Sequence, residues 1–116
     1  MSEWIINQNK LIANGFKVEF EHKIDKAEYV SKVYLVLLEI PKGSNEVDNL
    51  YAVNENGEIL WRVQSVKDAF NIPQNTPYVA MSIIDSKTVQ VTSFFGMRYL
   101  VEILSGKLID KECIGW

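Results

Sequence analysis

The chain has few of the residues that build crosslinked or metal-bound proteins. Its 116 residues include one cysteine, Cys113, and one histidine, His22. A single cysteine cannot form an intramolecular disulfide, and one histidine with one cysteine cannot supply the ligands of the common zinc sites. We therefore expect neither a metal nor a cofactor. The lack of disulfides suits the reducing cytoplasm, which is the expected location.

Long hydrophobic runs and clusters of basic residues are also missing. The longest apolar run, near Val33 to Leu38, is far shorter than the roughly 20 residues of a membrane-spanning helix. The 12 Lys and Arg residues are dispersed and outnumbered by 15 Asp and Glu, which gives a net charge of −3. Nucleic-acid binders need clustered basic residues to neutralise phosphates. Neither a membrane nor a nucleic acid is therefore expected as a partner.

The residue patterns of the chain predict β-strands, and we expect residues 1–116 to form a single β domain. Apolar and charged residues alternate from Phe16 to Ile24, which is typical of a half-buried strand, and Asn14-Gly15 favours a hairpin turn before it. The apolar run from Ser31 to Ile40 predicts a central strand that is covered on both faces. A helix over Lys26 to Leu38 is the alternative, but its β-branched and aromatic residues favour a strand.

Two copies of one hairpin pattern are the most informative part of the chain. Asn49 to Val63 (NLYAVNENGEILWRV) contains two short apolar strands around a turn at Gly57. Met97 to Asp110 (MRYLVEILSGKLID) repeats it: Tyr51, Gly57 and Trp61 correspond to Tyr99, Gly106 and Asp110. The pattern predicts a positive φ at Gly57 and a well-buried Trp61 between sheets.

The remaining segments complete the predicted architecture. Val66 to Phe70 can form a short helical turn that is capped by Ser65 and ended by Pro73, and strands are expected over Tyr78 to Ile84 and Thr88 to Ser93. The whole pattern predicts an all-β fold of about eight or nine strands with no long helix. We expect two packed antiparallel sheets built from hairpins, arranged as a β-sandwich or as propeller-like blades.

The Gly57–Trp61 hairpin resembles a repeat of the pyrroloquinoline-quinone-type β-propellers. Leu50-Tyr51-Ala52-Val53, Gly57 and Ile59-Leu60-Trp61 carry the resemblance, and the whole chain is similar to short, uncharacterised bacterial proteins with such repeats. The resemblance implies a structural repeat and no cofactor. A propeller places its ligand in a central channel between four or more blades, whereas this chain has residues for roughly two.

No catalytic arrangement is visible in the sequence, so no catalytic residue is assigned and the protein is not expected to be an enzyme. His22 lies on the apolar face of its predicted strand, which favours a structural role, and Glu19 and Glu21 alternate with lysines on a solvated face. The alternative is a small-ligand-binding or enzymatic β domain with a pocket lined by Phe16, Phe20, Tyr34 and Trp61. Those residues are also what a β core requires.

A protein-interaction role has a positive indication. Phe94 and Phe95 are consecutive and precede Gly96, and neighbouring strand residues point to opposite faces, so one ring is expected outside the core. We predict a partner-contact patch formed by Phe94, Phe95 and Tyr78. The compact size and acidic balance favour a non-enzymatic bacterial protein that binds another protein. Immunity against a basic toxin domain is its most concrete form, and the oligomeric state is not predicted.

Overall fold

The computed structural model describes residues 4–13, 15–73 and 76–113, and these form eleven strands and one short helix. The all-β prediction is confirmed. The elements in chain order are β1 (Trp4–Asn7), β2 (Lys10–Ala13), β3 (Phe16–Glu19), β4 (Ile24–Val30), β5 (Val33–Leu38), β6 (Leu50–Asn54), β7 (Ile59–Arg62), α1 (Val66–Phe70), β8 (Tyr78–Ile83), β9 (Thr88–Ser93), β10 (Met97–Glu102) and β11 (Leu108–Cys113).

The strands form three antiparallel sheets, so the expected two sheets with eight or nine strands are wrong in number. Sheet 1 contains β1–β3, sheet 2 contains β4–β7 and sheet 3 contains β8–β11, and each follows the order of the chain. Every strand within a sheet therefore pairs with its neighbour in sequence. This meander is the blade-like form of the predicted architecture.

Two strand boundaries that the sequence pattern did not predict lie at turns without the usual glycine. Ser31 and Lys32 have φ values of 50° and 65°, and they turn β4 into β5. Two-residue hairpin turns of this kind favour Asn-Gly, so Ser-Lys carries little sequence signal. The predicted strand from Phe16 to Ile24 is likewise two strands, because β3 ends at Glu19 and β4 begins at Ile24. The predicted pairing of Lys10–Ala13 with the strand at Phe16 is confirmed, although Asn14 itself lies outside the described residues.

Sheet 2 is covered on both faces, as the apolar run around β5 predicts. Leu35 and Leu37 pack with residues of sheet 3 in one core, whereas Tyr34 and Val36 pack with residues of sheet 1 in another. Alternate residues of one strand thus belong to two different cores. The central position of β5 is confirmed.

Trp61 joins sheets 2 and 3 but is less buried than predicted. Its ring is only partly buried at the margin of the core, and its indole Nε1 donates a hydrogen bond to the Ile103 carbonyl at 2.9 Å. A Cβ atom built on Gly106 would lie 2.5 Å from the Trp61 ring, and one built on Gly57 would lie 2.7 Å from Phe16. The turn glycine of each four-stranded sheet therefore makes room for an aromatic residue of the preceding sheet, and Gly57 has the predicted positive φ of 83°.

The helix α1 is short and follows its predicted cap. Ser65 Oγ accepts a hydrogen bond from Asp68 N at 3.0 Å, and Asn71 ends the helix in the left-handed conformation with φ 56°, before Pro73 is reached. At five residues, α1 is the only helix in the described part of the chain, where no helix has the length and hydrophobicity to cross a membrane.

Candidate functional site

The turn between β9 and β10 presents two neighbouring phenylalanine rings to solvent. Phe94 is 65% exposed, Phe95 is 75% exposed, and their ring centres lie 5.2 Å apart in an edge-to-face arrangement. Both residues lie in the turn rather than on a strand, so both point outward, whereas the sequence pattern predicted only one. We call Ser93, Phe94, Phe95 and Gly96 the aromatic turn.

Tyr78 does not belong to this exposed surface. Its side chain is 2% exposed and packs against Tyr99 in the core between sheets 2 and 3. The expectation that Tyr78 is exposed beside Phe94 and Phe95 is therefore wrong. Position 78 starts β8, and strand alternation directs its ring inward. Its backbone nevertheless lies next to the aromatic turn, because Phe94 N donates to the Pro77 carbonyl at 3.1 Å.

Hydrogen bonds fix the aromatic turn to the rest of the fold. Within the turn, Gly96 N donates to the Ser93 carbonyl at 3.0 Å and Met97 N donates to Ser93 Oγ at 3.1 Å. The turn is thus held at both ends, and Gly96 supplies the required φ of 91°. Because its backbone is already fixed, the turn would lose less conformational entropy on binding a partner.

A buried asparagine, which no sequence motif marks, connects this region to sheet 2. Asn49 is 1% exposed, and its Nδ2 donates to the carbonyls of Leu38 at 2.7 Å and Tyr78 at 2.9 Å. Its Oδ1 accepts from Tyr78 N at 2.9 Å. One side chain therefore ties the end of β5 to the start of β8. A polar residue at the border of a hydrophobic run is the only sequence signal for this role.

A second surface lies where sheets 2 and 3 meet at their opposite end. A cleft of about 410 Å³ is lined by two serines, Ser31 and Ser86, and by four apolar and two charged side chains, which are Val33, Leu60, Ile103, Leu104, Lys87 and Glu102. Leu104 is 89% exposed and Leu60 is 49% exposed. We call this the leucine cleft. Its volume falls within the range of small-ligand sites, and its exposed leucines are equally suited to protein contacts.

His22 takes part in a polar cluster formed by the connection between β3 and β4 and by the loop between β5 and β6. Its Nε2 lies 3.0 Å from Glu46 Oε1, and the potential ligand atoms of Glu21, His22 and Glu46 lie within 4.8 Å of one another. The sequence pattern pointed to His22 alone, because Glu46 lies in a connection without periodicity. The side chain of Cys113 lies outside the described residues.

Asp48 and Tyr51 extend this cluster toward Arg62. Burial raises the pKa of Asp48, and the Arg62 guanidinium partly opposes that shift. Burial likewise raises the pKa of Tyr51, whose ring centre lies 5.5 Å from the Arg62 guanidinium carbon. Arg62 donates through Nε to the Asp48 carbonyl at 2.8 Å and through Nη2 to the Val47 carbonyl at 2.9 Å. Arg62 therefore holds the loop that precedes Asn49.

The variant Asp48→Asn should have a higher melting temperature than the wild type at neutral pH. The raised pKa means that the folded state favours the protonated acid, so stability is lost as the pH rises through the folded-state pKa. An asparagine side chain is neutral at every pH and also tolerates the φ of 55° at this position. The gain should shrink as the pH falls through the raised folded-state pKa, and it should be gone below 3.8, the ordinary value of the acid. Thermal unfolding at several pH values measures this, and a loss of stability at neutral pH would contradict it.

The outer face of sheet 3 differs in chemistry from the matching face of sheet 2. Strand register places Trp61 opposite Ala52 and Asp110 opposite Leu100, which confirms the predicted correspondence of the two copies. Five residues of sheet 2 face sheet 3, namely Leu35, Leu37, Leu50, Ala52 and Trp61. The residues at the equivalent positions of sheet 3 lie on its outer face and are, in the same order, Gln90, Thr92, Arg98, Leu100 and Asp110. Burying the two charged residues among them, Arg98 and Asp110, under another sheet would cost several kcal/mol for each ion. The polar and charged residues of this face are therefore suited to contact with water.

The four aromatic residues of the alternative ligand pocket are divided between the two cores. Phe16, Phe20 and Tyr34 pack between sheets 1 and 2, whereas Trp61 packs between sheets 2 and 3. In the described part of the chain, these four residues therefore do not line one common pocket, which was the alternative to a role in the core. The leucine cleft is built from other residues, none of which the sequence pattern identified.

Comparisons with known proteins agree with this description of the fold. Among solved structures, BamB from Moraxella catarrhalis, which has pyrroloquinoline-quinone-type propeller repeats, is similar, with a TM-score of 0.64 and 16% sequence identity. The alignment covers 93% of this chain and 31% of BamB, so the chain spans about a third of that protein. The likeness concerns the fold alone. No curated protein matches the chain. A family model matches residues 1–113, and the chain belongs to that family, which is described as "Domain of unknown function (DUF7957)".

Proposed function

We propose that the chain is a protein-binding module and that the aromatic turn is its principal contact surface. The observation that carries the proposal is the exposure of Phe94 and Phe95 on one fixed turn. Large aromatic side chains dominate the binding energy of protein interfaces because they bury much apolar area with few rotatable bonds. Two such rings side by side form an exposed apolar patch, and an exposed apolar patch of this kind is typical of a protein-interaction site.

The hydrogen bonds that hold the aromatic turn in place agree with a binding role. Asn49 ties Tyr78 to sheet 2, and Pro77 accepts the hydrogen bond from Phe94 N. The turn is thereby anchored through the core rather than extended on a free loop. A partner would meet a preorganised surface, so little binding energy would be spent on ordering it.

Toxin immunity is the most concrete form of this function. The chain has a net charge of −3, and an acidic protein associates rapidly with a basic toxin domain through electrostatic steering. This pairing would take place in the bacterial cytoplasm. The same charge predicts that association slows as salt concentration rises, because salt screens the attraction between the two surfaces.

A pull-down from the host cell with matched variants tests the proposal. We expect the wild-type chain to recover a discrete partner protein and the variant Phe94→Ser/Phe95→Ser to bind it at least about thirtyfold more weakly, since a hot-spot residue contributes about 2 kcal/mol or more. The control Ile5→Thr/Ile109→Thr removes two other exposed apolar side chains and should bind as wild type does. Melting temperatures of all three proteins establish that each is folded.

Two results would contradict the proposal. Equal recovery of the partner by the phenylalanine variant and the wild-type chain would exclude the aromatic turn as the contact. Recovery of no stable partner by the wild-type chain would exclude the protein-binding role, and the immunity interpretation with it. If the recovered partner is not basic, the immunity interpretation alone is wrong.

A further inference from the structure

We propose that the leucine cleft is a self-association surface, through which two copies of this chain form a two-fold symmetric dimer. The cleft lies away from the aromatic turn, because the six residues of β10 separate Gly96 from Ile103 and span about 20 Å. The dimer and the proposed partner contact would therefore use different ends of sheet 3. The two proposals stand or fall independently.

The surface offers a projecting side chain and a hollow next to each other. Leu104 is 89% exposed at the tip of the turn between β10 and β11, and the adjoining cleft has a volume of about 410 Å³ with Val33 and Ile103 among its walls. A two-fold axis brings the same patch of both copies together, so Leu104 of each copy can enter the cleft of the other.

The turn that carries Leu104 is held firmly enough to act as a contact. Gly106 N donates to the Glu102 carbonyl at 2.8 Å, and Ile103 N donates to the Lys87 carbonyl at 2.9 Å. The indole of Trp61 donates to the Ile103 carbonyl from sheet 2. The projecting leucine is therefore fixed relative to both walls of the cleft.

Charge complementarity favours a second copy as the occupant. Lys87 and Glu102 both line the cleft, yet neither takes part in an ion pair among the residues that the structure describes. Glu102 accepts a hydrogen bond from the Ser105 hydroxyl, and Lys87 is exposed. In a symmetric pair, Lys87 of one copy can face Glu102 of the other, and the reciprocal contact forms at the same time. Each copy therefore offers one positive and one negative side chain to the other copy.

Sedimentation equilibrium of the full chain with charge-reversal variants tests the dimer. For the wild type, the average mass should rise with concentration toward twice the 13.3 kDa of one chain. Leu104→Asp should remain monomeric at all concentrations. Lys87→Glu and Glu102→Lys should each weaken association about tenfold or more through like-charge contacts, and the double variant Lys87→Glu/Glu102→Lys should restore it.

The Phe94→Ser/Phe95→Ser variant is the matched control and should dimerise as the wild type does, because its changes lie at the other end of sheet 3. Circular dichroism melting establishes that each variant is folded. A wild-type chain that stays monomeric at high concentration overturns the proposal. A dimer that Leu104→Asp leaves intact, or single charge reversals that the double variant does not rescue, would overturn it as well.

Discussion

Replacing Asn49 with Leu should lower the free energy of unfolding by about 3 kcal/mol or more. The substitution removes three hydrogen bonds at a site that is 1% exposed, and it leaves the buried N–H of Tyr78 without its acceptor. An orphaned buried donor costs about 1–3 kcal/mol, and each lost hydrogen bond adds roughly another 0.5–1.5 kcal/mol. Urea unfolding, followed by tryptophan fluorescence, measures the change.

The neighbouring Asn45 provides a matched control for this prediction. Asn45 is exposed in the same loop, so Asn45→Leu should change the unfolding free energy by less than about 0.5 kcal/mol. Hydrogen exchange gives a second reading, since the Tyr78 amide should lose protection in Asn49→Leu before the rest of sheet 3 does. Similar costs for the two substitutions would mean that Asn49 does not tie the sheets together.

Replacing Gly106 with Ala should be similarly damaging, for two separable reasons. Gly106 has a φ of 75°, and an added Cβ would lie 2.5 Å from the Trp61 ring. The left-handed backbone costs an alanine about 1 kcal/mol or more, and overpacking against the ring adds about 1–3 kcal/mol. We therefore expect a total loss of roughly 2–4 kcal/mol in thermal or urea unfolding.

The chain contains the control that separates these two costs. Gly96 has a φ of 91°, and an added methyl group there would meet nothing within 4 Å, so Gly96→Ala should show the backbone cost alone. In a Trp61→Ala background, Gly106→Ala should fall to the cost of Gly96→Ala, because the ring that collides with the methyl group is gone. If Gly106→Ala costs the same with and without Trp61, the packing of this glycine against the ring does not limit stability.

The sequence predicted those parts of the fold that have a clear periodic or turn signal. The repeat of Tyr51 and Gly57 at Tyr99 and Gly106 correctly indicated hairpins, and the apolar run around Leu35 correctly indicated a strand buried on both faces. The division between sheets 1 and 2 was missed because the alternating pattern continues past Glu19, where β3 ends, to Ile24, where β4 begins. Strand β4 itself was missed because the turn at Ser31-Lys32 has the geometry of a glycine turn without a glycine. Propensity cannot reveal a turn that tertiary packing imposes.

The candidate site was only partly predictable for related reasons. Two consecutive aromatic residues before Gly96 were a signal for Phe94 and Phe95. Tyr78 was included because it follows the long break from Ser65 to Pro77, which was expected to lie beside them, and its ring is buried. The leucine cleft combines Val33 and Leu60 from sheet 2 with Leu104 from sheet 3, which are far apart in the chain. Such a surface depends on how sheets pack, and no local pattern encodes it. Trp61 illustrates the same limit, because its burial depends on how closely sheet 3 approaches.

Site-specific photo-crosslinking in the host cell tests the central claim most directly. A benzophenone amino acid at position 95 would lie in the aromatic turn, and the same group in place of the exposed Lys17 would lie on sheet 1. A protein-binding role centred on the aromatic turn predicts one discrete crosslinked protein from position 95 and none from position 17. No crosslinked protein from position 95, or the same products from both positions, would contradict it.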